Sequence, residues 1–327
     1  MEEFKVIEFH RARDFSRKMN ATFEFIKQNF KPLFKSILFI AGPPALIGSM
    51  MMGSFASDFI GLTQSMTKGG GNPEAFSNYF LSVSFWLQLI VTMIFLLISG
   101  VVTMATINCY IMLYGEKKSN QIEVDEVWKR VRGTFWTYLG SMILFFILFT
   151  AAYILSIVPA ALLGSAVGIL LIFVILIGLF YAAVSLTLTF FIQSYEKKNF
   201  FAAIARSYRL VRGKWWSTFG LLFLLSLIVY IVSYFFIAPW YFITLVDAVH
   251  STQTGVEKEA STSWSILTVV FFTLYYLAQF TLASLPNVGI AFQYFNLVEL
   301  KESKGLMDQI ETLGKNTDES ARPEENF

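Results

Sequence analysis

The sequence predicts an all-α protein: a polytopic membrane bundle of six transmembrane helices, arranged as three two-span repeats. An amphipathic helix on the membrane surface is predicted in front of each repeat. Hydrophobic residues make up 55% of the 327 positions and charged residues only 15%, which is too apolar for a soluble domain of this length. Long apolar runs follow one another along the chain, and they recur at a constant spacing.

The repetition is clearest in two short stretches, Val131 to Trp136 and Val211 to Trp216, which lie eighty positions apart. Each stretch ends a basic amphipathic segment and begins a long apolar run. Pro159 and Pro239 match at the same spacing. We therefore divide the membrane domain, 1–302, into repeats at about 14–118, 119–198 and 199–302, followed by a charged tail at 303–327 that is predicted to be disordered.

The first repeat opens with an amphipathic segment from Asp14 to Phe30, in which apolar residues recur at helical spacing and basic residues lie off that line. Asp14 is suited to cap its start, and Pro32 is expected to end it. A span from about Leu33 to Phe55 follows. The proline pair at 43–44 is expected to kink or break that span.

The second span of each repeat is longer than a bilayer requires. The first of them, Phe76 to Tyr114, has no charged residue, and at about 1.5 Å per residue it would be roughly twice as long as the hydrocarbon core is thick. We expect breaks at Gly100, Gly178 and Pro286, because glycine and proline weaken helices. Such breaks expose backbone groups that bind substrates in transporters, and they also serve ordinary helix packing.

The basic residues predict the orientation of the spans. Alternate connecting segments hold nearly all of the 25 Lys and Arg residues, and the positive-inside rule places such segments in the cytoplasm. Both termini and all three surface helices are therefore predicted to be cytoplasmic, with the bacterial inner membrane as the expected location. The single cysteine, Cys109, excludes an intramolecular disulfide.

The basic residues of the three surface segments are candidates for contact with anionic lipid head groups, since each Lys or Arg near a membrane surface contributes about 1 kcal/mol of attraction. These candidates are Arg17, Lys18, Lys129, Arg130, Arg132, Arg206, Arg209, Arg212 and Lys214. The simpler interpretation is that they only fix the orientation of the spans.

Four amide side chains lie near the cytoplasmic ends of the longer spans and are candidates for a shared polar vestibule. They are Asn108, Gln193, Gln293 and Asn296. Amides within spans also form hydrogen bonds between helices for purely structural reasons, so both interpretations stay open.

The proposed spans lack the charged and metal-binding residues on which many membrane transporters and membrane enzymes depend. No charged side chain lies at the centre of a proposed span, which argues against proton relays, ion-coupled pumps and voltage sensors. His10 and His250 fall on opposite sides of the membrane, and no His-Glu-x-x-His helix, phosphate-binding glycine loop or Gly-x-Ser-x-Gly elbow occurs. We therefore predict no catalytic residues, no metal site, no cofactor and no nucleic-acid partner.

Two stretches carry a resemblance to known proteins. The stretch Ala203 to Trp216, with its Arg-Ser-Tyr-Arg-Leu-Val-Arg-Gly-Lys-Trp-Trp core, resembles bacterial six-span proteins that include the membrane domain fused to some glycerophosphodiester phosphodiesterases. The stretch Asn20 to Leu33 resembles the opening of uncharacterised integral membrane proteins of Bacteroidetes. The resemblance implies an inner-membrane helical bundle. It implies no activity, because the sequence contains no phosphodiesterase domain.

The expected function is non-enzymatic. The protein is predicted to contact, organise or passively transport lipids, preferentially anionic ones, or other amphiphiles. The alternative is a membrane-embedded assembly factor or subunit that binds other membrane proteins. A third interpretation, a membrane enzyme of unfamiliar type, would require polar groups that converge in a cavity.

Overall fold

The computed structural model describes residues 5–67, 73–162, 165–254, 262–303 and Met307, so the predicted tail lies almost wholly outside the described residues. Every regular element within these residues is a helix. The helices are α1 (Phe15–Ser36), α2 (Gly42–Thr67), α3 (Pro73–Leu81), α4 (Val83–Lys117), α5 (Val124–Leu162), α6 (Ser165–Ser185), α7 (Thr189–Tyr195), α8 (Phe200–Val211), α9 (Trp215–Thr254), α10 (Thr262–Leu282) and α11 (Ser284–Glu302).

Six helical stretches of the described chain are long and apolar enough to cross a membrane, which confirms the prediction of a helical, multi-pass membrane protein. Three stretches contain more than one element, because α1 leads into α2, α6 into α7 and α10 into α11. The six stretches are Phe15–Thr63, Val83–Lys117, Val124–Leu155, Val167–Tyr195, Trp215–Val246 and Ser263–Glu302.

The predicted helix end at Pro32 is wrong, because α1 continues through this proline to Ser36. Proline has no N–H, so the carbonyl of Gln28 loses its usual partner inside the helix. Asn120, in the segment after α4, donates its side-chain N–H to that carbonyl at 3.2 Å. This hydrogen bond offsets part of the cost of an interior proline, and the amphipathic segment runs directly into the first span.

The expected break at the proline pair 43–44 takes the form of a π-helical turn over Ile37–Ala41, directly before α2. A π-helical turn changes the hydrogen-bond ladder locally, which accommodates prolines that cannot donate to it. Helix α2 then continues beyond the predicted end at Phe55. It therefore includes Asp58, which accepts a 2.9 Å hydrogen bond from Gln88 of α4.

Of the three expected breaks in the longer spans, only the one at Pro286 is confirmed. Helix α11 begins two residues before Pro286, so the proline occupies the first turn, where a missing N–H costs little. Helices α4 and α6 pass through Gly100 and Gly178 without interruption. One interior glycine costs only about 1 kcal/mol, which is too little to end a long apolar helix. The middle span breaks instead at 186–188, between α6 and α7.

The three basic segments differ in how they join their spans. The first and second are continuous with their spans, as parts of α1 and α5, whereas the third is the separate helix α8. Between α8 and α9 the chain turns at Gly213, whose φ of 82° favours glycine. Of the three basic segments, as far as the structure describes them, only the third forms a helix separate from the span that follows it.

A large cluster of buried apolar residues lies where α4, α7 and α11 end, next to the basic segments of α1, α5 and α8. We call this side of the molecule the basic end. Buried aromatic rings fill the space between these helix ends, namely Phe25, Tyr110, Tyr114, Phe191, Phe292 and Phe295. In contrast, the apolar windows of α5 and of the α6–α7 stretch are only 11% buried, as expected for surfaces that contact lipid.

Candidate functional site

The N-terminal segment, residues 5–13, is not helical and lies across the basic end. The N–H of Ile7 donates to the Tyr114 hydroxyl of α4 at 3.1 Å, and the N–H of Arg13 donates to Asn296 Oδ1 of α11 at 2.7 Å. Phe9 stacks on Phe295, with ring centroids 4.7 Å apart. Hydrogen bonds and ring contacts therefore hold this segment against both α4 and α11.

Gly115 of α4 permits the close approach of Phe9. A Cβ atom at this position would lie 2.8 Å from Phe9 Cε2, which is shorter than real Cβ contacts. Because Phe9 is also fixed by Phe295, a larger residue at 115 would displace the N-terminal segment from α4.

A cleft of about 1000 Å³ lies between the N-terminal segment and the adjoining ends of α4, α5 and α7. We call it the basic-end cleft. Its apolar lining includes Val6, Ile7, Ile111, Met112, Phe191 and Phe295, and its polar lining includes His10, Thr134, Thr137, Gln193, Ser194 and Tyr195. This volume and this mixed lining are typical of sites that bind a small molecule.

Charged side chains line the mouth of the cleft. Arg130 of α5 makes a bidentate pair with Glu116 at 3.0 Å, and Lys198 pairs with Glu196 at 2.6 Å. Glu8 of the N-terminal segment also lines the cleft, and its carboxylate makes no ion pair among the described residues. The two ion pairs carry little net charge toward a ligand.

Two further lysines at the mouth, Lys118 and Lys197, are exposed and have no carboxylate within ion-pair distance in the described part of the chain. Both have left-handed backbones, with φ of 49° and 53°. Lys118 ends α4, where its N–H donates to the Tyr114 carbonyl at 2.9 Å. Two free cations beside an apolar lining make the cleft suitable for an anionic amphiphile.

The polar wall of the cleft is a connected network. Ser194 donates its hydroxyl to the Tyr138 hydroxyl at 2.7 Å, and Asn108 Nδ2 donates to the same oxygen at 2.8 Å. Tyr138 in turn donates to the Phe190 carbonyl at 3.2 Å. Beside them, Gln193 is 5% exposed; its Nε2 donates to Ser141 Oγ at 2.9 Å, while its Oε1 has no partner among the described groups.

A second polar cluster lies between α1, α9 and α11. The Lys18 ammonium donates to Ser217 Oγ at 2.8 Å and to Gln293 Oε1 at 2.7 Å, and Gln293 Nε2 donates to Thr218 Oγ1 at 2.8 Å. Lys18 is only 2% exposed, and a side chain so enclosed does not reach lipid head groups. We therefore leave Lys18 out of the head-group contacts proposed below.

The four amide side chains proposed to form one polar vestibule lie in different parts of the basic end. Gln193 lines the basic-end cleft, and Asn108 supports its wall through Tyr138. Gln293 belongs to the Lys18 cluster, and Asn296 holds Arg13 of the N-terminal segment. The sequence places all four near helix ends, but the neighbours that each one faces depend on helix packing.

The remaining basic candidates lie at or near the surface. Arg17 and Lys129 pair with Asp14 and Asp125 within one helical turn, which stabilises the helix only slightly. The Arg132 guanidinium lies over the ring of Trp128 at 4.7 Å. The exposed cations around the turn at Gly213 are Arg209, Arg212 and Lys214.

Helix α8 is anchored to the basic end by a charge network. Arg206 donates to Glu196 at 3.1 Å and to both carboxylate oxygens of Glu302, while Tyr294 donates to Glu196 at 2.6 Å. Hydrogen bonding to Glu302 raises the pKa of Arg206 above its ordinary value. Burial alone would raise the pKa of Glu196, but hydrogen bonds from Lys198, Tyr294 and Arg206, together with the charge of Arg206, lower it.

Sequence reasoning missed the N-terminal segment and the two unpaired lysines. The segment is too short and too mixed in charge to predict structure, although Val6, Ile7 and Phe9 were an available apolar signal. The endings Tyr114 to Lys118 and Tyr195 to Lys198 resemble each other, and that similarity would have directed attention to both lysines.

The fold and this site define a multi-pass helical membrane protein with a charged cleft at one end of the bundle. In the described chain, no group of three or more His, Cys, Asp or Glu residues is placed to hold a metal ion. Comparison of the chain with protein-family models, curated proteins and solved structures finds no match. The resemblance to six-span bacterial proteins therefore stays an expectation that rests on the quoted stretches alone.

Proposed function

We propose that this protein is a non-enzymatic membrane protein that holds anionic lipids, or related amphiphiles, by the head group in the basic-end cleft. The observation that carries the proposal is the pair Lys118 and Lys197, two unpaired cations beside an apolar lining. The cleft belongs to the cytoplasmic side of a bacterial inner membrane in this proposal, as the positive-inside rule predicts.

The positive charge of the cleft lysines attracts anionic head groups. A Lys or Arg near a membrane surface contributes about 1 kcal/mol of attraction to anionic lipid, so two unpaired lysines at one site give a local preference for anionic head groups. Paired cations such as Arg130 contribute less, because Glu116 already neutralises its charge.

The apolar lining of the cleft can contact the apolar part of a lipid next to its head group. Val6 and Met112 are half-buried in the lining of the cleft, where they can contact the glycerol backbone and the first methylenes of a lipid. Thr134 and Thr137 of α5 line the cleft beside Trp136, which is 75% exposed, as is typical of a residue at the membrane interface.

The proposal includes the three-repeat arrangement with amphipathic basic segments on the cytoplasmic surface. It is supported by a recurring feature: Lys118, Lys197 and Ser303 all have positive φ, and each follows the longer span of one proposed repeat. The basic segments of α1, α5 and α8 lie next to these endings, where exposed cations such as Arg209 and Arg212 add to the attraction for anionic lipid.

The test compares two variants of equal charge. Lys118→Gln/Lys197→Gln removes the unpaired cations of the cleft, whereas Lys27→Gln/Lys35→Gln removes two exposed lysines outside it. In nanodiscs of phosphatidylcholine with a minor anionic lipid, the first variant should lose about tenfold in affinity for that lipid, and the second should bind as the parent does. Equal loss in both variants would overturn the proposal, because it would show attraction to general surface charge.

A second candidate function, binding of another membrane protein, is favoured by the hairpin of α5 and α6. The apolar windows of both spans of this hairpin are 11% buried, as is that of Ser263–Glu302, against 44% for Phe15–Thr63 and Val83–Lys117. Photo-crosslinkers at Phe146 and Phe173, which are 70% and 64% exposed, would capture one membrane protein in stoichiometric yield if this function applies. Crosslinks to lipid alone would reject it.

A further inference from the structure

Gln193 is the most enclosed amide side chain in the lining of the basic-end cleft. Its side chain is 5% exposed and lines the cleft, and Nε2 is already used in a hydrogen bond to Ser141. Its Oε1 is buried and has no partner among the described groups. Buried amide oxygens nearly always accept a hydrogen bond, because an unmade one is costly.

No side chain beside Gln193 donates to its Oε1 in the described part of the chain. The Ser194 hydroxyl donates to Tyr138, whose own hydroxyl donates to the Phe190 carbonyl. The Asn108 amide also donates to Tyr138. The wall of the cleft therefore offers an acceptor at Gln193 without a protein donor to fill it, which leaves that role to a ligand.

We propose that the cleft selects a phosphodiester head group that also carries a hydroxyl, with the phosphate at Lys118 and Lys197 and the hydroxyl donating to Gln193 Oε1. This inference rests on the function proposed above and specifies its ligand. A hydroxyl fits better than an amine at Gln193, because enclosing a neutral donor beside a side chain that is 5% exposed costs far less than enclosing an ammonium. The chemistry is that of a phosphoglycerol group, either on a lipid or free in solution.

The experiment uses two lipids of the same charge. Phosphatidylglycerol carries hydroxyl donors, whereas phosphatidylmethanol has the same phosphodiester charge and no donor. The full-length protein, in phosphatidylcholine nanodiscs with one or the other at equal mole fraction, should bind phosphatidylglycerol about tenfold more tightly. Gln193→Met should remove this preference, so that the variant binds the two lipids with equal affinity. Gln279→Met, at an intramembrane amide outside the cleft lining, should keep the preference.

Each outcome decides a separate point. Equal binding of the two lipids by the unaltered protein would overturn the inference and leave the proposed function standing. This comparison uses only the unaltered protein, so its result does not depend on whether a variant folds. No preference for either anionic lipid over phosphatidylcholine would overturn the proposed function itself. Soluble glycerophosphoglycerol should compete weakly. If it displaces phosphatidylglycerol at equal concentration, the hydroxyl requirement holds and the ligand is a free phosphate ester, which overturns lipid as its source.

Discussion

The stretches Val131–Trp136 and Val211–Trp216 differ at only two of six positions, yet their backbones differ. The first is uninterrupted helix within α5, whereas the second contains the turn at Gly213 that separates α8 from α9. Their ends have matching environments: Val131 and Val211 are fully buried, and Trp136 and Trp216 are 75% and 76% exposed. The difference is therefore confined to the middle of each stretch.

The neighbours explain why one stretch turns and the other does not. At the second stretch, Lys301 of α11 donates to the carbonyls of Arg209 and Arg212, which a helix ending at Val211 leaves without partners. At the first stretch, Thr134 donates back to the Arg130 carbonyl, and no comparable donor from another helix is present among the described contacts. Tertiary contacts, and not the shared glycine, decide the local structure.

The largest expected effect comes from cutting the anchor of α8. Arg206→Gln leaves Glu196 and Glu302 without their shared cation in a site where the Arg206 side chain is 16% exposed, so we expect a loss of about 3 kcal/mol in the free energy of unfolding. Arg130→Gln, which removes the more exposed pair with Glu116, should cost less than about 1 kcal/mol. Denaturant titration in detergent measures both. Equal losses would show that the two stretches are anchored alike.

Substitution of Gly213 and of Gly133 should give the next largest effects on the free energy of unfolding, and the two effects should have opposite signs. Gly213→Ala forces an L side chain to adopt a φ of 82°, which should cost about 1–2 kcal/mol. Gly133→Ala places a methyl group in open space on a helix and should gain up to about 1 kcal/mol. Thermal unfolding of both variants tests this. Stabilisation by Gly213→Ala would mean that α8 and α9 can join into one helix.

Lys301 gives a smaller effect that isolates the turn. Lys301→Met removes the donor to the Arg209 and Arg212 carbonyls, and we expect a loss of about 1 kcal/mol, felt mainly at the end of α8. Hydrogen exchange should therefore quicken near Arg212 and stay unchanged near Arg132 in α5. Unchanged exchange at both places would remove Lys301 as the cause of the difference.

Acidification should produce the smallest effect, and at the second stretch we assign it to Glu196. The pKa of Glu196 is lowered in the folded state, so its charge adds stability that is fully present above the ordinary value of 4.5 and is lost as the pH falls through the lowered pKa. Fluorescence of Trp215, next to α8, should thus change below about pH 4.5. Glu196→Gln should abolish that change. Persistence of the transition in this variant would assign it to another carboxylate.

The six spans were predictable because they depend on composition and length, which the sequence states directly. The positions of the helix breaks were not predictable from the sequence, because they depend on contacts with other helices and segments. Asn120 lets α1 continue past Pro32, and Gly100 and Gly178 remain helical within long apolar helices. The break before Pro286 agrees with the expectation because a proline is tolerated best in the first turn of a helix, whereas Pro32 shows that a helix with an outside donor can continue through a proline.

The candidate site was predictable only in part. Gln193 and Arg130 were selected from the sequence and do line the cleft, because amides and arginines at span ends favour polar surroundings. The environments of Lys18 and of the N-terminal segment were not predictable from the sequence. Lys18 belongs to a row of basic residues that predicts an exposed side chain, but residues from α9 and α11 enclose it. Contacts between residues so far apart in sequence leave no local signal.

The contact between Phe9 and Phe295 also bears on the order in which the protein assembles. The two rings are separated by almost the whole described chain, so the N-terminal segment cannot reach its final position until α11 has entered the membrane. During synthesis the segment has no partner on α11, and the cleft has no completed wall. The basic-end cleft is therefore one of the last parts of the molecule to form, and it forms only in chains whose spans have all been inserted.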